Sequence, residues 1–140
     1  MRPGFPGASP NVPISVVRLG TPRKPNEGLR LGTVRRPPRG VPKSEFAKQD
    51  YYDVWLPTLA PSQPLVTMAL HASDERTWKA FERKYRAEMN CADAARMLNV
   101  LAALSHQTNF SVGCYCENEQ RCHRSILERL LAERGAAFVR

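Results

Sequence analysis

Apolar positions recur along this chain of 140 residues in two rhythms. The stretch ISVVRL (14–19) is short, aliphatic and β-branched, and turn chemistry follows it in GTPRKPNEG. It predicts a strand, and LRLGTV (29–34) predicts a second. A helical rhythm takes over after residue 73. Trp78, Phe81, Tyr85 and Met89 return at steps of three and four, which predicts one buried stripe, with Ser73 as cap and Asp74 and Glu75 in the first turn. Such an aromatic stripe is core far more often than a ligand box. ADAARMLNVLAAL (92–104) predicts a second helix, apolar over much of its circumference. NFSVGCYC (109–116) predicts a third strand. CHRSILERLLAERG (122–135) predicts a helix with Ile126, Leu127, Leu130 and Leu131 inward and Gly135 as its stop. AAFVR (136–140) reads as a last strand.

Proline interrupts these patterns in three places. Residues 1–13 carry four prolines and no periodicity, the composition of a disordered lead-in. RRPPRGVPKSEF (35–46) reads as a rigid basic loop, with a short helix starting near Ser44 as its cap. YYDVWLPTLAPSQPL (51–65) reads as a packed irregular connection. Strands early, helices between and strand-loop-helix late predict an α/β fold. The expectation is a single compact domain over 14–140, with a small, largely parallel sheet flanked by helices.

Charge changes this picture by its placement. The formal net charge is +8, and residues 1–48 hold ten Lys/Arg against Glu27 and Glu45, so the whole excess lies there. An anionic partner is the natural expectation, either nucleic acid or a phosphorylated small molecule. The bland alternative is a basic surface that aids solubility. No run approaches the ~18 apolar residues of a membrane helix, and the start lacks the apolar stretch of a secretory signal. The expected location is therefore the cytoplasm, where thiols stay reduced, with no membrane partner.

Candidate chemistry concentrates in CYCENEQRCHRS (114–125), and three readings stay open. As metal ligands, Cys114, Cys116, Cys122 and His123 have suitable atoms. Their C-x-C spacing differs from that of an ordinary zinc knuckle, and strand geometry sets the first two side chains parallel rather than convergent. As a nucleophile, Cys116 stands after a strand and before a helix, with Arg121 and Arg124 expected to lower its thiol pKa. Cys116 to Arg121 is similar to the C-x4-R loop of rhodanese-like sulfurtransferases, with two acids and no glycine to turn the amides inward. As an anion site, the free amides of the helix start would act with Arg124 and Ser125. Arg35, Arg36 and Arg39 would face them from the basic loop. Cys91 reads as a small apolar residue at a helix junction, and His71 and His106 receive no role. The sequence calls for no cofactor.

Several of these segments together resemble the domain-of-unknown-function 488 family. They are CYCENEQRCHRSILERLLAERG, GLRLGTVRRPPRGVPKSEF, LPTLAPS and WKAFERKYRAEM. In order, the turns Pro38-Arg39-Gly40 and Ala60-Pro61-Ser62 and the helix pattern Phe81, Lys84, Tyr85 and Glu88 look like its YeaO-like branch. Lys84 stands where the family usually has Arg, and Pro37 where that branch usually has Trp. The branch also often lacks the C-terminal cysteines. The resemblance implies a compact α/β domain and supplies no established activity. The leading expectation is a small domain that binds a nucleotide, nucleic acid or other phosphate ester between the basic loop and the helix start. Thiol chemistry at Cys116 and a Cys/His metal module are the alternatives.

Overall fold

A computed structural model describes residues 13–116, 118 and 121–139; the lead-in expected over 1–13 falls outside them except for Pro13. Four strands form the sheet: β1 (Ile14–Arg18), β2 (Leu29–Gly32), β3 (Val54–Trp55) and β4 (Phe110–Cys114). All pairings are parallel, in the order β1-β4-β2-β3. Four helices accompany them: α1 (Gln63–Leu70), α2 (Glu75–Met89), α3 (Ala92–Leu104) and α4 (His123–Glu133). The α/β class follows. The helices contribute to one core with Ile14, Phe110 and Val112, so they cover one face of the sheet.

The opposite face is built differently. Strand alternation turns Arg30 and Gly32 of β2 and Ser111 and Gly113 of β4 toward it, in paired register. Loops cover it. Arg30 is 1% exposed and Glu27 3%, and the Arg30 Nε donates to Glu27 Oε1 at 2.5 Å. The Ser111 hydroxyl donates to the same carboxylate. A Cβ on Gly113 would fall 2.6 Å from the Val17 carbonyl oxygen, so the bare glycine lets β1 close against β4.

Several local expectations need correction. Residues 43–45 form a single 3-10 turn whose cap is Pro42, and Ser44 lies inside it. The connection 51–65 holds β3, a 3-10 turn at Pro57–Leu59 and the start of α1. Its prolines read as breakers, yet Pro64 sits in the first turn of α1, where no amide bond is lost. The cap of α2 is Asp74 instead of Ser73, and it exchanges hydrogen bonds with Thr77. α3 buries one face, leaving Val100 and Leu104 exposed. Of 136–140, Phe138 makes one isolated bridge to Ile14. Cys91 is exposed as the N-cap of α3.

The charge asymmetry also looks different in three dimensions. Arg23 donates to both Asp53 oxygens, at 2.7 and 3.1 Å, and also to Asp50. Arg30 is internal. Part of the basic excess thus serves the fold.

Candidate functional site at the carboxyl ends of the strands

β4 enters the sheet between β1 and β2, so its carboxyl end lies beside those of both neighbours. Open α/β sheets place ligands at such ends. A cavity of about 490 Å³ opens here. Val34, Arg35, Arg36 and Arg39 line it from the loop after β2. Pro61, Gln63, Val66, Ala69 and Leu70 line it from the turn before α1 and from α1 itself. Phe81 of α2 adds an aromatic wall, and Cys114, Tyr115, Cys116, Arg121, Cys122 and His123 complete it. A second depression of about 940 Å³ shares Arg36, Arg39, Gln63 and Tyr115.

The basic loop is anchored from both sides. The Tyr115 hydroxyl donates to the Arg36 carbonyl at 2.9 Å, and Trp55 Nε1 donates to the Val34 carbonyl at 2.8 Å. Arg35 spends its guanidinium on the carbonyls of Pro57, Ala60 and Pro61. Arg36 donates to Gln63 Oε1 at 3.0 Å. Arg39 is exposed, next to Gly40 at φ +70°, and no ion pair engages it among the described residues.

The start of α4 differs in detail from expectation. Cys122 is the N-cap and makes no side-chain capping bond. Arg124 is 4% exposed, and its Nη2 donates to the Cys116 carbonyl at 2.9 Å. The Ser125 hydroxyl donates to the Cys122 carbonyl. Neither residue lines the cavity; both shape the loop around it. Arg121 does line it, while donating to the Asp74 carbonyl and Glu75 and lying 5.7 Å over the Trp78 ring.

His123 is internal. Its Nε2 lies 2.6 Å from the Thr33 carbonyl oxygen, a contact that needs a donor, so Nε2 carries the proton. Nδ1 is left as an acceptor 3.8 Å from Cys122 Sγ. Burial is the main influence and pushes the His123 pKa down to about 4; the Thr33 bond opposes it and the Arg124 charge adds to it. The ring is neutral near pH 7.

The thiols overturn two expectations. β4 ends at Cys114 and the chain turns at Tyr115, so the parity that would hold Cys114 and Cys116 parallel is lost. The sulfurs of Cys114, Cys116 and Cys122 lie within 4.8 Å of one another. Cys114 and Cys122 sulfurs touch, but their Cα atoms are 7.8 Å apart. A disulfide spans about 4.4–6.8 Å, so we read the pair as thiols. Cys116 is exposed. Desolvation pushes its thiol up, outweighing the pull of Arg124 and Arg18. The Arg121 guanidinium is engaged instead with the Asp74 carbonyl and Glu75 at the start of α2.

The segments that carried the family resemblance meet around this cavity. Tyr85 donates to the Leu59 carbonyl, Glu88 Oε1 accepts from the Ser62 amide, and Arg35 binds the carbonyls between them. A family model described as the active DUF488-N3 subclade matches residues 14–135. The chain belongs to the domain-of-unknown-function 488 family. The match names the N3 subclade and does not show the YeaO-like branch. No curated protein and no solved structure matches the chain. Among the described residues, no helix of this family member is long and apolar enough to cross a membrane. Sequence reasoning missed Tyr115, Gln63 and the α1 wall; the aromatic at 115 was legible, but its partner 79 residues away was not.

Proposed function

We propose that the cavity binds a phosphate-bearing small molecule, with Arg36 and Arg39 as charged contacts and the start of α4 opposite them. One observation carries this reading: the basic loop and the α4 start, far apart in sequence, line a single cavity at the carboxyl ends of parallel strands. Free amides at a helix start favour an anion, and Arg forks favour phosphate oxygens. Val66, Ala69 and Leu70 form an apolar wall backed by the buried Phe81, which suits a ligand with an apolar or aromatic body such as a nucleotide more than a bare ion. In this reading Arg35, Arg124 and Ser125 hold the frame, because each donates to a backbone carbonyl.

Thermal unfolding of the reduced, metal-free chain with inorganic phosphate, a nucleoside monophosphate and a short oligonucleotide tests this. The nucleotide is expected to raise Tm more than phosphate does, by mass action on the folded state. Arg36→Ala/Arg39→Ala is expected to lose most of that rise, and Cys116→Ser to keep it. A rise unchanged in the double variant overturns the reading. Tighter binding of the oligonucleotide with a steep salt dependence transfers it to nucleic acid.

A further inference from the structure

We infer that Cys114, Cys116 and Cys122 form a three-thiolate zinc site on the inner wall of the cavity, with a fourth position open to it. The inference does not rest on the phosphate reading. Thiolates around a tetrahedral zinc sit about 2.3 Å from the ion and hence about 3.8 Å from one another. The three sulfurs are gathered within 4.8 Å, and Cys114 and Cys122 would part from contact to admit the ion. Two come from regular elements, the last residue of β4 and the N-cap of α4, and Cys116 follows the bend at Tyr115. The 7.8 Å Cα separation makes a Cys114–Cys122 disulfide a poor alternative for the cluster without backbone movement.

The surroundings suit an anionic centre. Three thiolates and one divalent ion leave a net charge of about −1. The α4 amino terminus opposes it from the Cys122 side. Arg124 and Arg18 present positive charge to Cys116. His123 lies outside the three-sulfur cluster, and its bond to Thr33 leaves Nδ1 as an acceptor 3.8 Å from Cys122 Sγ, at the edge of the site. Cys114 and Cys122 are buried while Cys116 is exposed, and all three line the cavity. Three protein ligands with one open position is the pattern of catalytic zinc, whereas structural sites close all four. The fourth ligand would be water or an anionic group entering from the cavity.

The full chain, reduced with a phosphine and stripped by chelator, is titrated with zinc against a chromophoric chelator and separately with cobalt. Wild type is expected to take up about one equivalent and to give an intense thiolate-to-cobalt charge-transfer band. Cys116→Ser, at an exposed position, is expected to fold normally, to weaken zinc at least ~10-fold, and to lose about a third of the band. Cys91→Ser is expected to match wild type. Substoichiometric zinc in wild type, or wild-type affinity and band in Cys116→Ser, overturns the inference. A nucleotide-induced Tm rise in metal-free protein that fails to bind zinc sinks only this inference. Zinc uptake without any nucleotide response sinks only the phosphate reading.

Discussion

The hydroxyl of Tyr85, on the buried stripe of α2, donates to the backbone carbonyl of Leu59 across 2.7 Å. Both residues are fully buried. Burial, with the Glu88 charge adding, raises the phenol well above its ordinary value, so it stays a donor at all ordinary pH. Tyr85→Phe keeps the ring but orphans the carbonyl, and about 1–3 kcal/mol of stability is expected to go. Urea unfolding monitored by Trp fluorescence reads the loss; a change below ~0.5 kcal/mol would mean that the turn before α1 relaxes to solvate its carbonyl.

Arg30 and Glu27 form a buried pair, and removing one partner strands the other's charge. Glu27→Ala is expected to cost about 3–5 kcal/mol at pH 7. Burial alone would raise the Glu27 pKa, but bonds from Arg30, the Lys24 amide and Ser111 hold it below its ordinary 4.5. A carboxylate with a lowered folded pKa contributes stability that is present above 4.5 and is lost as pH falls through the lower folded value. Unfolding free energy measured from pH 7 down to 3 is expected to drop for wild type, and the drop is expected to be shallower in Glu27→Ala. Parallel acid limbs in the two proteins would contradict this assignment.

Arg35 and Arg39 lie four positions apart and are expected to separate cleanly. Arg35 supports three carbonyls, so Arg35→Ala is expected to lose about 1.5–3 kcal/mol of stability. Arg39→Ala is expected to stay within about 0.5 kcal/mol of wild type, yet to diminish the nucleotide-induced Tm rise. Paired urea and ligand-shift measurements on both variants check this. Equal stability losses would show that the loop acts as one structural unit.

What the sequence determined by itself was local. The three- and four-residue spacing of Trp78, Phe81, Tyr85 and Met89 dictates one buried face, because a helix brings such positions into line whatever it packs on. The runs at 14 and 110 are extended for a similarly local reason, the fit of β-branched and aromatic residues to a pleated surface. Tertiary structure decided what those elements bring together. Arg30 reads as surface charge but is internal, because β2 turns it toward the face where Glu27 and Ser111 wait. Arg124 reads as an anion clamp but turns back to the Cys116 carbonyl, because α4 starts one residue before it and points its side chain inward. The three sulfurs converge only because β4 stops at Cys114 and α4 begins at His123. The bend at Tyr115 ends strand parity, and no local periodicity encodes where a bend will aim a side chain.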